Sequence, residues 1–296
     1  MKNATRAWLI ALTVPAVFLY CFPSCTKNGN PSTHDTVTVT KHDTTTDTLY
    51  ATKPDPTVNL AKGLLLYLPF SGSIADSSGN GNLTTALNGA GLTYDVHGYA
   101  SSAFGGNGSN QVILVTNNGS IQFDTAYSIS LDFMTTDLST RHAFLSMVDY
   151  SNGDGPTFLV STSVPGETNF LDIGANDISA GCGTDGTTNT NKLNDTTSFV
   201  PALGAWYNEV VIYHRGSLQV YINGTLISQK TGTGTLANLC SSSSIVVGGW
   251  WSGDPIGVSG KLDNVRLYNR VLTPHEVAAL AVNYQVTSNS VKRTPQ

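Results

Sequence analysis

The sequence predicts an all-β fold, a two-sheet antiparallel sandwich with one short helix at its C-terminal end. The 296-residue chain contains 29 glycines, and only 12% of its residues are charged. Glutamate, a strong helix former, occurs only at positions 167, 209 and 276. Many short segments rich in β-branched and aromatic residues alternate with turn residues, which is typical of a sandwich.

The strand candidates follow one another along the chain, each bounded by turn residues. The first is 63–70, and the proline near its end stops it. The others are 111–116, 128–135, 143–148, 157–161, 206–214, 217–222 and 244–249. The pair Asn223-Gly224 predicts a type I′ hairpin turn. Residues 162–200 fit no strand pattern, so we expect long loops there.

The last strand is predicted within residues 260–270. Asp263, Val265 and Leu267 alternate along it and therefore share one face in an extended chain. We expect Asp263 to lie on the same face as these core residues.

A capped helix is predicted directly after this strand. Thr273 is a favourable N-cap, Pro274 occupies the first helical position, and Glu276 completes a capping box. Leu272 and Val277 would form a hydrophobic staple across the cap. The signals are local and agree with one another, so they fix the start of the helix.

Residues 1–24 resemble a bacterial lipoprotein signal peptide. Lys2 and Arg6 give a positive start, an apolar stretch follows, and Cys25 comes directly after a small serine. We expect export, with Cys25 as the lipidated first residue of the mature chain. A plain cleaved signal is the alternative. Thr26, where an Asp would favour the inner membrane, indicates an outer-membrane lipoprotein at the cell surface or facing the periplasm.

The mature chain would be mildly acidic. Residues 1–24 hold two of the fifteen Lys and Arg and none of the twenty Asp and Glu, so the formal charge changes from −5 to −7. Such a charge does not favour nucleic-acid binding or a polybasic membrane contact. Membrane attachment would come through the lipid alone.

The remaining chain divides by composition. Residues 25–60 are rich in Thr and Asp and cannot bury a core, so they predict a disordered tether. The folded domain is predicted at 61–284, and 285–296 as a disordered tail. Cys182 and Cys240 are plausible disulfide partners in an oxidising compartment, with free thiols as the alternative.

Five segments resemble LamG-like domains of the concanavalin A-like lectin/glucanase superfamily. They are the last strand G-K-L-D-N-V-R-L-Y-N-R at 260–270, the first strand at 63–70, the turn D-S-S-G-N-G-N at 76–82, the W-Y-N-E-V-V-I-Y strand at 206–213 and the Y-I-N-G hairpin at 221–224. The resemblance covers 61–284. It implies a jelly-roll sandwich.

The same resemblance implies a structural Ca²⁺ that joins Asp76 of the first turn to Asp263 of the last strand. Carboxylate, amide and carbonyl oxygens, which Ca²⁺ prefers, are all present in the 76–82 turn. The alternative is that Asp76, Asn80 and Asn82 form Asx-turns and that Asp263 accepts backbone hydrogen bonds.

The family shares its fold with glucanases, so the sequence has to be searched for a pair of carboxylates that could form a glycosidase active site. A retaining glycosidase needs two carboxyl groups about 5 Å apart. Glu209 has Tyr207 and Val211 as its same-face neighbours, and Asp132 stands alone on its strand. Signatures of nucleophiles and of catalytic metals are also missing from the sequence. We therefore predict no catalytic residue, while carboxylates that converge from separate loops would favour a glycoside hydrolase.

A ligand site is predicted at Trp250, Trp251 and Asp254. Saccharide C–H groups stack on aromatic rings while carboxylates take hydroxyl groups. Because consecutive strand residues point to opposite faces, we expect one Trp to be presented and the other to lie in the core. The 149–155 loop, with Tyr150, Asn152 and Asp154, is a second candidate.

Together these features predict a non-catalytic carbohydrate-binding or adhesion module on a lipid anchor, with a glycan as its partner. A glycoside hydrolase of the glucanase type is one alternative. A structural envelope protein that binds protein partners is the other.

Overall fold

The computed structural model describes residues 55–148, 157–162, 199–232, 244–251 and 256–282, together with the backbone of four further strands. The chain divides into two compact units, residues 1–54 and 55–296. The first unit contains an antiparallel pair, β1 (Thr36–Thr38) and β2 (Thr48–Tyr50). This pair lies inside the segment predicted as a tether, and Cys25 lies outside the described residues.

The regular secondary structure described in the second unit consists of β-strands and one short helix. Its strands are β3 (Leu64–Leu68), β4 (Leu83–Leu87), β5 (Gly91–Thr93), β6 (Ala103–Asn107), β7 (Val112–Thr116), β8 (Ala126–Thr135), β9 (Ala143–Val148), β10 (Phe158–Thr162), β11 (Leu171–Asn176), β12 (Lys192–Thr197), β13 (Trp206–His214), β14 (Ser217–Ile222), β15 (Thr225–Thr231), β16 (Ser244–Val247) and β17 (Ser259–Tyr268). The helix α1 (Pro274–Leu280) follows. No helix in the part of the chain that the structure describes is long and apolar enough to cross a membrane.

These strands form two antiparallel sheets. The seven-stranded sheet has the order β12-β11-β10-β9-β16-β7-β4. The eight-stranded sheet has the order β15-β14-β13-β8-β17-β6-β5, with β3 paired to β17. The prediction of an all-β, two-sheet antiparallel sandwich with one short C-terminal helix is confirmed.

The core lies between the two sheets and follows from period-2 alternation. Ile129, Leu131 and Phe133 of β8 point into it and are almost fully buried. Phe133 stacks on Phe144 of the opposite sheet, with ring centroids 4.8 Å apart. Each sheet therefore has an inner face that packs on the other sheet and an outer face of its own.

Most strand predictions are confirmed, and three have the predicted bounds: β9, β13 and β14. The expectation of loops throughout 162–200 is wrong, because β11 and β12 pair with each other there. The short strands β4 to β6 also lie outside the predicted set. Such Gly- and Thr-rich segments alternate too weakly to be recognised before their partners are known.

The helix start is confirmed in detail. The Thr273 side chain accepts a hydrogen bond from the Glu276 N–H (3.3 Å), and the Glu276 carboxylate accepts one from the Thr273 N–H (2.9 Å). Leu272 and Val277 lie in one buried cluster with Leu280. That cluster includes outer-face residues of the eight-stranded sheet, so α1 covers part of this face.

The face assignment of Asp263 is wrong. A bulge shifts the register of β17 against β8 between Asp263 and Arg266, and Asn264 adopts a positive φ of 50°. The extra residue lets Leu262 and Val265 both enter the core. Asp263 is therefore turned to the outer face.

Candidate functional site

The two predicted tryptophans lie on the outer face of the seven-stranded sheet. The chain leaves β16 through Gly248, whose φ is +82° and whose N–H donates to the Phe144 carbonyl (2.8 Å). A Cβ at this position would lie 2.6 Å from the ring of Phe104. Only glycine combines this backbone conformation with such close contact, so Gly248 directs the chain onto the outer face.

A buried serine holds the tryptophan loop against the sheet. Ser146 Oγ donates to the Trp250 carbonyl (2.7 Å) and lies 3.2 Å from the Gly249 carbonyl. The two indoles pack against Val112 and Val246, which point outward from β7 and β16. Ser146 is the polar residue in the otherwise apolar strand β9, and this was the only hint in the sequence that it makes such a contact.

The indole rings of Trp250 and Trp251 meet at a right-angled corner. Their centroids are 4.8 Å apart and their planes are inclined by 77°. Both side chains are partly exposed, and neither belongs to the core between the sheets. The expectation that one Trp lies in the core is wrong, because the turn at Gly248 ends the strand and its alternation before either Trp is reached.

Arg141 completes this surface, which we call the tryptophan corner (Arg141, Ser146, Trp250 and Trp251). Its guanidinium carbon lies 5.3 Å from the centroid of the Trp250 ring, within the range of a cation–π contact. Its Nε donates to Ser161 Oγ (3.3 Å). Arg141 carries no local sequence signal that would have placed it beside a tryptophan 109 positions later. Asp254 and the 149–155 loop candidates Tyr150, Asn152 and Asp154 lie outside the described residues, as do Cys182 and Cys240.

A pair of carboxyl groups occupies the outer face of the other sheet. Asp132 of β8 lies directly opposite Asp263 of β17. Asp132 is 3% exposed and Asp263 is 5% exposed. Sequence reasoning missed this pair, because 131 residues separate the two positions and the bulge at Asp263 was not foreseen.

Amide side chains surround the pair. Asn208 Nδ2 donates to Asp132 Oδ1 (2.7 Å), and Asn264 Nδ2 donates to Asp132 Oδ2 (3.0 Å). Burial raises the pKa of Asp263 to about 7; the hydrogen bond from the Asn264 N–H opposes this shift, and the charge of Asp132 adds to it. The carboxyl pair thus belongs to a buried polar network and has little access to a polymer.

Comparison with known families identifies the fold. The model of the concanavalin A-like lectin/glucanases superfamily matches residues 105–278. The chain belongs to this superfamily. No curated protein matches the sequence at a significant level.

Solved structures share the concanavalin A-like fold at low sequence identity. Domain 4 of AbnA, a GH43 extracellular arabinanase from Geobacillus stearothermophilus, solved in complex with arabinotriose, is 22% identical, with a TM-score of 0.55; the match covers 74% of this chain and 98% of that one. The binding domain of Paraclostridial Mosquitocidal Protein 1 is 21% identical, with a TM-score of 0.57, over 76% and 53% of the two chains. The ligand-binding domain of botulinum neurotoxin serotype D, solved with N-acetylneuraminic acid, is 12% identical, with a TM-score of 0.52, over 76% and 52%. The chain thus spans about half the length of the toxin domains.

The concanavalin A-like domain keeps Asp76 in a hydrogen-bonded turn. Its Oδ1 accepts from the Tyr67 and Ser78 N–H groups (3.1 and 2.9 Å), and its Oδ2 accepts from Ser78 Oγ, Asn82 N and Asn82 Nδ2 (2.8, 3.2 and 2.7 Å). These bonds lower the pKa of Asp76 against the opposing effect of burial. Of these bonds, the one from the Ser78 N–H is the Asx-turn expected at Asp76, whereas the Asn80 and Asn82 side chains donate to backbone carbonyl groups. No group of three or more His, Cys, Asp or Glu side chains that could hold a metal occurs in the described ranges.

Glu209 is the remaining carboxyl group of interest, and it points into the core. It is fully buried between Tyr207 and Val211 on the inner face of β13, as its predicted neighbours indicated. Neither carboxylate oxygen has a hydrogen-bond partner among the residues that the structure describes. Burial raises the pKa of Glu209 to about 8. A side chain enclosed in this way has no contact with a ligand.

Proposed function

We propose that this chain is a non-catalytic carbohydrate-binding module whose contact surface is the tryptophan corner. The observation that carries the proposal is the pair of partly exposed indoles held on the outer face of the seven-stranded sheet. Indole faces take the apolar C–H face of a sugar, and a guanidinium takes its hydroxyl or carboxylate oxygens. The proposal is also supported by the arabinanase domain and the neurotoxin domain of the same fold, which were solved with sugars.

The test is electrophoresis of the full chain in native gels that contain a panel of soluble polysaccharides. We expect at least one polysaccharide to retard the chain, and Trp250→Ala or Trp251→Ala to restore its free mobility. Tyr99→Ala is the matched control, because Tyr99 is 67% exposed on the loop between β5 and β6 and its loss should change nothing. Free mobility of the unaltered chain in every gel would overturn the proposal and favour a protein-binding envelope component.

Hydrolysis is the competing function, and the facing carboxyl groups of Asp132 and Asp263 are the observation that favours it. Residues opposite each other in an antiparallel pair have Cβ atoms about 5 Å apart, close to the carboxyl separation of retaining enzymes. Both groups are buried, however, and two asparagines occupy the oxygens of Asp132. We expect no release of reducing ends from the same polysaccharides. Release that Asp132→Asn abolishes would instead establish a glycoside hydrolase.

Export and a lipid anchor at Cys25 are part of the proposal and are supported by the sequence of residues 1–25. The chain should fractionate with the outer membrane of a bacterial host and incorporate labelled palmitate. Cys25→Ser should be soluble and unlabelled, whereas Cys21→Ser should behave like the unaltered chain. A soluble unaltered chain would indicate a plain cleaved signal.

Calcium at Asp76 and Asp263, and a Cys182–Cys240 disulfide, remain proposals with direct tests. Addition of Ca²⁺ to the chain from which a chelator has removed metal ions should raise its Tm, because an ion bound only by the native state adds stability. Asp76→Asn should lose that increase. If the Tm does not respond to Ca²⁺, Asp76 serves only to hold the 76–82 turn by its hydrogen bonds. Mass mapping of unreduced peptides checks the disulfide.

A further inference from the structure

The geometry of the tryptophan corner points to recognition of one sugar residue at a time, at the end of a glycan chain or on a short branch. This inference rests on the proposed function and specifies its ligand class. It follows from the angle between the rings. The planes of Trp250 and Trp251 are inclined by 77°, with centroids only 4.8 Å apart.

Two perpendicular rings cannot support the same flat surface. A sugar ring that stacks its C–H face on one indole presents its edge to the other, so the second indole acts as a wall beside the first sugar. A flat polymer face requires coplanar aromatic rings spaced along the chain, each stacking on a different sugar. The corner therefore offers one stacking position and one boundary.

The number of open ring faces leads to the same conclusion. The Arg141 guanidinium lies over the Trp250 ring. In an edge-to-face pair, the edge of one ring also covers a face of the other. The inner sides of both indoles pack on Val112 and Val246. Few ring faces remain for a ligand, and they do not form a continuous row.

Main-chain contacts before and at Trp250 hold the corner in place and oppose its flattening by a ligand. Ser146 fixes the main chain at Trp250 through a 2.7 Å hydrogen bond, and Gly248 is confined by the ring of Phe104. Bringing the rings into one plane would therefore require rotation of at least one indole about its side-chain bonds, away from its contact with the sheet. Such a change would oppose binding, because ordering and strain reduce the net affinity.

Calorimetric titration of the full chain with oligosaccharides of one to six residues tests the inference. The probes are the arabino-, gluco-, manno- and N-acetylglucosamine series. In the series that binds, we expect the affinity to change by less than about threefold beyond the disaccharide, because the described residues around the corner offer no second stacking position. We also expect no adsorption to crystalline cellulose or chitin. Trp251→Ala should abolish binding of every length equally, and Tyr99→Ala should abolish none.

Two results would overturn the inference and leave the proposed function standing. One is an affinity that rises tenfold or more, about 1.4 kcal/mol, from two to four residues. The other is adsorption to crystalline polymer that Trp250→Ala removes. Absence of binding to any oligosaccharide and any polysaccharide would instead overturn the proposed function, and the inference with it.

Discussion

The outer faces of the two sheets are built from similar strands but are covered to different extents. On the eight-stranded sheet, Val210, Ile212 and Tyr268 are buried under α1, and the neighbouring polar groups bond to one another around Asp132. On the seven-stranded sheet, the described residues that pack on Val112 and Val246 are all only partly buried: two indoles and two leucines, Leu87 and Leu114.

This difference is the reason for proposing the tryptophan face, and not the covered face, as the ligand-binding surface. A helix that covers a sheet removes its apolar surface from water and stabilises the fold. Aromatic rings that remain partly exposed forgo some of that stabilisation, and they are the groups that sugars contact. Changes to the covered face should therefore alter stability alone, whereas changes to the tryptophan face should alter binding.

The largest effect should come from the ion pair between the partly exposed Arg270 and the buried Glu276, which fastens α1 to the covered face. Glu276 accepts two hydrogen bonds of 2.7 Å from the Arg270 guanidinium, and these lower the pKa of Glu276 to about 2. Glu276→Ala should lower the free energy of unfolding by about 4 kcal/mol, since it also removes the capping box. Urea unfolding at pH 7 measures this.

The pH dependence of unfolding and a control variant test whether the Arg270–Glu276 ion pair causes the loss of stability in Glu276→Ala. Because the folded pKa of Glu276 lies below the unfolded value of about 4.5, its contribution should be present at pH 7 and lost as the pH falls towards 2. Asp55→Ala, which removes the exposed pair with His275, should leave the Tm unchanged. Equal losses in the two variants would contradict the importance of burial.

A substitution of Glu209, in the core between the two sheets, should raise the free energy of unfolding without affecting binding. The pKa of Glu209 is raised to about 8 by burial, so the free energy of unfolding should fall from pH 4.5 to 8, by up to about 1.4 kcal/mol per pH unit. Glu209→Leu should be more stable than the unaltered chain by about 3 kcal/mol at pH 8, with little gain at pH 4. Unfolding at both pH values measures the difference. Glu209→Gln should remove the pH dependence while keeping a buried polar group, and a loss of stability in Glu209→Leu at pH 8 would refute the prediction.

The turn that carries the tryptophans should be sensitive to one methyl group. Gly248→Ala places a Cβ against Phe104 at a positive φ, so we expect a loss of about 2 kcal/mol together with loss of polysaccharide retardation. Gly79→Ala also has a positive φ, but its Cβ would meet nothing within 4 Å. That control should have a smaller effect on stability and none on gel mobility. Unchanged retardation of Gly248→Ala would show that the turn does not position the corner.

The smallest effect should come from two equivalent serines, one on each outer face. Ser146 donates to the Trp250 carbonyl, and Ser128 donates to the Arg270 carbonyl, each at 2.7 Å. Either change to Ala should lower the free energy of unfolding by about 1 kcal/mol. Only Ser146→Ala should weaken glycan binding, by severalfold in calorimetric titration. Equal affinities for both variants would mean that the loop position does not depend on Ser146.

Local signals in the sequence predicted the elements that local contacts control. The capping box of Thr273 and Glu276 was foreseen because both partners lie within four residues. The bounds of β13 and β14 were foreseen because alternation and the Asn223-Gly224 turn agree. The strands β11 and β12 were not predicted, because their alternation is weak and they are stabilised as strands only by pairing with each other.

Sequence reasoning proposed residues for the candidate site but not their arrangement. Trp250 and Trp251 were identified from their glycine-rich loop, while Arg141 and Ser146 were not, because they come from another part of the chain. The facing carboxyl groups of Asp132 and Asp263 escaped for the same reason.

The sequence by itself determined the fold class and the helix start and suggested candidate ligand residues, because composition, alternation and capping act over a few neighbouring positions. Tertiary structure alone decided the face on which Asp263 lies and the corner made by the two indoles. Both depend on how strands far apart in sequence pack. The core requires Leu262 and Val265 together, and Phe104 leaves room only for a glycine at the turn.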